Sequence, residues 1–283
     1  MTTATARRIL AAGAALGLAA CARVPPADLS RDPAALLDQV RAAQARVERV
    51  RGTARVRIDA PGASGTVTEF VAAEKPDRVH LETLDFFGNP AAVLVAAGGR
   101  FAFLDQREKV FYRGDATPEN VSRLLPVLLP VEELVTILCG SAPLLAGTPL
   151  EVQPRGSALL LTIGRGALGQ RVAIGDEATV ESSRVRRSEQ GPDGAWRETA
   201  PAYDLELGRF RHRNGIRFPS EVHLDAASAR ARVDLVWRDD PDVNDPLDPR
   251  LFHLEPPRGV RVVELSEGAS VPPFDVPLEP GPE

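Results

Sequence analysis

Residues 52–59 read Gly52-Thr53-Ala54-Arg55-Val56-Arg57-Ile58-Asp59. Ala54, Val56 and Ile58 alternate with Arg55, Arg57 and Asp59, the period-two signature of a strand with one face buried and the other in water. Upstream the period differs. Asp32 is placed to cap a helix with Pro33 at its first position, and Leu36, Leu37, Val40, Val47 and Val50 recur near a helical spacing. One amphipathic helix ending near Gly52 is expected. Downstream the strand pattern returns at 66–73, 78–84, 91–97, 100–104 and 109–113, and again at 150–153, 157–163, 170–175, 180–187, 202–211, 216–224 and 230–238. Gly98-Gly99, Gly191-Pro192-Asp193-Gly194 and above all Asn214-Gly215 break these runs as hairpin turns. Short strands so spaced predict a mainly β fold, an antiparallel meander rather than parallel βαβ units.

A helical interlude interrupts the series. Thr117 caps a predicted helix that starts at Pro118 and runs through Leu124-Leu125; Pro130 opens a second, with Leu134, Ile137 and Leu138 on one face and Gly140 as its stop. A segment this rich in leucine, laid over a sheet, either fills its core or roofs an apolar pocket.

The N-terminus carries an address. Arg7-Arg8 and the apolar small-residue run from Ile9 to Ala20 make a secretory signal too short to span a bilayer. It closes on Leu18-Ala19-Ala20-Cys21, which resembles the bacterial lipobox, so Cys21 is the expected lipidation site and membrane anchor. The alternative is an ordinary signal peptide with a chance cysteine. The expected organisation is a signal peptide at 1–20, a lipidated terminus and tether at 21–32, a β domain at 33–267 and a disordered, acidic, Pro-rich tail at 268–283.

Composition narrows the function. Hydrophobic content of 43% describes a globular chain, and a net charge of −5 with both signs interspersed offers no basic block for nucleic acid. Apart from Cys21 the one cysteine is Cys139, in the apolar context of a small buried hydrophobe. His80, His212, His223 and His253 show no ligand spacing, so no metal site is expected. Asp239, Asp240, Asp242 and Asp245 read as a solvated turn. Gly164-Arg165-Gly166 with Gly169 lacks the helix of a dinucleotide fingerprint and reads as a loop. With no nucleophile elbow or phosphate loop, neither a catalytic residue nor a cofactor is expected. The conspicuous feature is apolar. Phe86 and Phe87 stand together at a turn, where strand geometry cannot send both into one core. Either one is buried and the other covers the hairpin, or the loop presents aromatic surface to a membrane or ligand.

The order of elements completes a pattern: the amphipathic helix, Gly52-Thr53-Ala54-Arg55-Val56, Phe86-Phe87-Gly88, Lys109-Val110-Phe111-Tyr112-Arg113, and Leu124-Leu125-Pro126 through Cys139-Gly140. Asp248-Pro249-Arg250-Leu251-Phe252-His253-Leu254 and Pro256-Pro257-Arg258-Gly259-Val260 follow. Over residues 36–265 this resembles the LolB-like outer-membrane lipoprotein receptor family, related in fold to the periplasmic carrier LolA. The resemblance implies an incomplete, strongly curved antiparallel β-barrel with helices as a lid over an apolar cavity. Such a cavity receives acyl chains of lipoproteins or lipids and passes them to the outer membrane, in exchange with a periplasmic carrier protein. Val56, Ile58, Val79 and Leu81 of the early strands and Leu125, Leu134, Ile137 and Leu138 of the lid are then expected to line one space of about 300 Å³ or more. Phe86 and Phe87 match the loop that projects an apolar residue towards the membrane. Two departures stand out: the Arg-rich segment 181–196 has no place in the family pattern, and the arginine that gates the carrier lid has no secure counterpart. Ala22 rather than Asp after Cys21 fits outer-membrane delivery under the enterobacterial sorting rule. The competing expectation is an accessory envelope lipoprotein with a filled core that binds a protein partner.

Overall fold

Asp32 opens the first helix as its sequence requires. Its Oδ1 accepts from the Ala35 amide at 2.8 Å, and Pro33 begins α1 (Pro33–Ala45), which buries Leu36, Leu37 and Val40. The computed structural model describes residues 24–61, 63–125, 128–190, 196–227 and 230–265. The signal sequence, Cys21, the turn at 191–194 and the tail expected at 268–283 lie outside the described residues. Within the expected tether, Leu29 is buried in the core, and the Ser30 amide donates to Gln39 Oε1 at 2.8 Å. The helix is shorter than its periodicity suggested. Val47 and Val50 lie beyond it, and Val50 pairs with Ala73 on one side and Val243 on the other. A backbone offered ladder partners on both sides gains more from the sheet than from one further helical turn.

The strands run β1 (Arg49–Ala60), β2 (Ala63–Glu74), β3 (Arg78–Leu84), β4 (Pro90–Ala97), β5 (Arg100–Asp105) and β6 (Val110–Asp115) as an antiparallel meander. After the helices come β7 (Thr148–Arg155), β8 (Ala158–Arg165), β9 (Leu168–Ile174), β10 (Val180–Gln190) and β11 (Trp196–Gly208). The small hairpin β12 (Arg211–Arg213) and β13 (Ile216–Phe218) turns on Asn214-Gly215, both at positive φ, as that dipeptide predicted. Then follow β14 (Glu221–Ala226), β15 (Ala231–Trp237), the short β16 (Asp242–Val243) and β17 (Arg261–Leu265). One 15-stranded sheet results. Pairing of β1 with β15 joins the early meander to the late one, and β7 and β17 remain as edges. The protein is thus a large, curved, mainly antiparallel sheet that does not close into a barrel. Among the described residues only β17, parallel to β6, departs from the antiparallel rule.

The Arg-rich segment finds its place here. It forms β10 and enters β11, with register shifts at Val185/Arg186 and Arg187/Ser188, and Arg186 holds Asp204 through two bonds of 2.6 and 2.8 Å. Such shifts add local twist, which a strongly curved sheet needs. Gly52 lets Trp237 approach: a Cβ there would meet the indole at 3.1 Å. The motif Asp248 to Leu254 straps the outer face, where Phe252 packs on Val93 and Val95 and the Leu251 carbonyl meets His80 Nδ1 at 2.7 Å.

The helical interlude lies over the inner face. Thr117 caps α2 (Pro118–Val121), which ends before Leu124 and Leu125, short of the predicted extent. Leu125 precedes a proline, and that position resists helical geometry. Pro130 precedes α3 (Val131–Leu138), which contacts β2 and β3. Gly140 takes φ +75° as the helix stops. From there the chain returns to β7 through a polar clamp. Buried Gln170 accepts from the Leu145 amide at 2.7 Å and donates to the Pro143 carbonyl at 2.7 Å and to Ser183 Oγ at 2.9 Å. Gln44 of α1 donates to Ser141 Oγ and the Ala142 carbonyl at 2.7 and 2.8 Å, tying the first helix to the same segment.

Candidate functional site

Alternation along β1 to β5 turns Val56, Ile58, Val67, Val71, Leu81, Leu94 and Phe103 to one face, and β14 and β15 add Val222, Leu224, Val233 and Leu235. Leu124, Leu125, Leu134, Ile137 and Leu138 close over them from the helical segment. Together they enclose a cavity of about 130 Å³. Of the eight residues expected to share one space, Val56, Ile58, Leu81, Leu125, Leu134, Ile137 and Leu138 are brought together. Val79 is not. It faces the same side as Leu81 but lies one row further along, beside Ala73 and Ala96, where it is fully buried among core residues. The volume is also smaller than the expected 300 Å³.

Two polar side chains break the apolar wall. Glu69 and Thr83 face each other across β2 and β3, and Thr83 Oγ1 donates to Glu69 Oε2 at 3.0 Å. Burial pushes the Glu69 carboxyl from 4.5 up to about 8; the Thr83 bond opposes the rise and Glu82 adds to it. At neutral pH the group is therefore mostly a neutral acid. Sequence reasoning passed it over, although the signal was present. Val67, Glu69, Val71 and Ala73 share one face of a single strand, and a glutamate in an apolar row is an anomaly visible in the pattern.

Phe86 and Phe87 are both exposed, each at 84%, at the β3–β4 turn. The loop is built to present them. Asp85 Oδ1 accepts from the Phe87 and Asn89 amides at 2.9 and 2.8 Å, and the Gly88 amide donates to the Asp85 carbonyl at 2.9 Å. Those amide bonds, first among them the one from Asn89, hold the Asp85 carboxyl below the usual carboxylate range. The two rings meet edge to face, centroids 5.4 Å apart and planes at 85°. They have each other, and no core.

The remaining candidates settle into structural roles. Cys139 is buried and its thiol is pushed up to about 12 by burial, which leaves it unreactive at neutral pH. His212 meets Glu177 at 2.6 Å, His223 meets Asp234 at 2.7 Å, and His253 meets Glu255 at 3.2 Å. Among the described residues no three His, Cys, Asp or Glu side chains gather as metal ligands, and no helix is long and apolar enough to cross a membrane. A wider groove of about 690 Å³ on the outer face is walled by Arg55, Arg57, Asp59, His223 and Asp234. Charged walls of this kind suit water rather than an alkyl chain.

No protein-family model and no curated protein matches the sequence. Solved structures do share its shape. A LolA superfamily protein from Nitrosomonas europaea superposes with a TM-score of 0.50 at 10% identity, over 80% of this chain and 99% of that one. A DUF1329 family protein from Desulfovibrio piger ATCC 29098 gives 0.51 at 11% identity, over 79% and 98%. At such identities the likeness is one of fold alone.

Proposed function

We propose that this chain is an envelope lipoprotein, anchored to the outer membrane through Cys21 and facing the periplasm, that takes acyl chains of lipoproteins or lipids and assists their insertion into that membrane. The observation that carries this reading is the cavity between sheet and helices, hydrocarbon on nearly every side. Each methylene moved from water into such a space contributes about 0.8 kcal/mol, so a dry cavity holds a chain without specific polar chemistry. The loop at Phe86 and Phe87 supplies a second support, a fixed pair of aromatic rings on a tethered protein, fit to enter the membrane interface. A periplasmic carrier protein is the proposed donor. The LolA superfamily fold agrees with these roles.

A long chain needs more than about 130 Å³, so in this reading the helical cover swings aside as a chain enters. The same volume favours a second reading, an accessory envelope lipoprotein that keeps its core filled and binds a protein partner. Mass spectrometry of organic extracts from protein purified out of envelopes separates the two. Acylated lipid recovered near one per protein supports the carrier; a lipid-free protein that copurifies with a stoichiometric partner supports the accessory.

A further inference from the structure

Glu69 does not help to build the sheet. It stands in a row between Val67 and Val71, where a third apolar residue would pack as well and would spare the cost of burying a carboxyl. What it brings is a hydrogen to donate. As a neutral acid it carries one hydroxyl hydrogen and Thr83 carries another, yet a single contact of 3.0 Å joins the pair. One hydrogen therefore remains, and the surrounding wall of Val67, Val71, Leu81 and Leu94 offers it no acceptor. Glu69 is half-buried on the cavity lining, and in such apolar surroundings an occupant that supplies an acceptor gains a hydrogen bond there. An alkyl chain alone cannot do so. An acyl carbonyl oxygen can.

We propose that Glu69 and Thr83 form a polar subsite that hydrogen-bonds the carbonyl oxygen of an acyl ester or amide, so that the occupant is held by its linkage as well as by its chain. The inference rests on the acyl-binding reading above and names the chemical class of the ligand: an acylated amphiphile rather than any hydrocarbon. A carboxylic acid serves here where a permanent charge would not, because a charge in this wall would remain unpaired.

Displacement of Nile red from the purified protein by methyl decanoate and by dodecane tests it. The ester-over-alkane preference of the wild type should exceed that of Glu69→Leu about fivefold to tenfold, the size of one neutral hydrogen bond. Glu69→Leu should lose that margin while still binding dodecane, and Glu69→Gln, whose amide still donates, should keep most of it. Thr83→Val, close in shape to the native residue, should weaken the preference and guards against a folding defect in the leucine variant. If Glu69→Leu shows the same ester-to-alkane preference as the wild type, the subsite is refuted and the acyl-binding reading stands. If the wild type binds neither, both fall together. A diacylated lipopeptide and phosphatidylethanolamine then compete as two sources of the same carbonyl. Displacement by either supports the subsite and names its source; displacement by neither overturns it.

Discussion

Glu69 makes the folded protein sensitive to pH in a direction opposite to that of an ordinary salt-bridged carboxylate. Its carboxyl rises from 4.5 to about 8 on folding, so the native state binds this proton more tightly than the unfolded chain does. Below the unfolded value both states are protonated and the group exerts no penalty. As pH climbs through the window from 4.5 to about 8, the unfolded chain ionises freely while the native state holds its proton. Stability is lost across that window and levels off above it. One pKa unit corresponds to about 1.4 kcal/mol, so between pH 5 and pH 9 the loss assigned to this group is about 4 kcal/mol. Glu69→Gln preserves shape and can still accept from Thr83, but does not titrate. Urea unfolding of both proteins at pH 5, 7 and 9 isolates the effect, because every other ionisable group is common to the pair. The gap between the two unfolding free energies should widen in favour of the glutamine variant by about 4 kcal/mol from pH 5 to pH 9. Two curves that stay parallel across that range would refute the account of Glu69 as an acid kept neutral by burial.

Cys21→Ser should leave a precursor without lipid label that no longer cofractionates with membranes; unchanged membrane association and labelling would remove the lipobox reading. Phe86→Glu/Phe87→Glu should leave the unfolding free energy within about 0.5 kcal/mol, since neither ring has a core to leave, while transfer of bound lipoprotein to liposomes falls. A loss of about 3–5 kcal/mol for each ring would mean that they are buried after all. Gly140→Ala should destabilise by about 2 kcal/mol in urea, because the residue sits at φ +75° and its new Cβ would lie 2.7 Å from the Phe218 ring and from Pro219. A neutral outcome would show that the end of α3 does not depend on this glycine.

Much of the architecture could be read one residue at a time. Asp32-Pro33 and Thr117-Pro118 mark helix starts through local hydrogen bonds and a fixed φ, which need no distant partner. Alternation at Val56, Ile58 and Leu81 sends those side chains to the buried face in any register that covers one side of the sheet. Asn214-Gly215 specifies its own turn. These features are legible because their energies are local.

Contacts between residues far apart in the chain decided the rest. Val47 and Val50 fit a helical period, yet ladder partners at Ala73 and Val243 draw Val50 into β1. Val79 lies on the inner face as expected, but whether an inward residue lines a cavity or fills a core depends on what stands opposite. The cavity itself exists because β15 pairs with β1 and brings Val233 and Leu235 across from Val56 and Ile58. No pattern within either segment specifies that closure. Glu69 shows the division most sharply: its place in an apolar row was written in the alternation of one strand, but its surroundings were not. A carboxyl on a solvated face stays charged, whereas one set among valines and leucines from six strands and a helical cover has its pKa pushed up to about 8. Dielectric surroundings belong to the whole assembly of side chains, and only the tertiary structure assembles them.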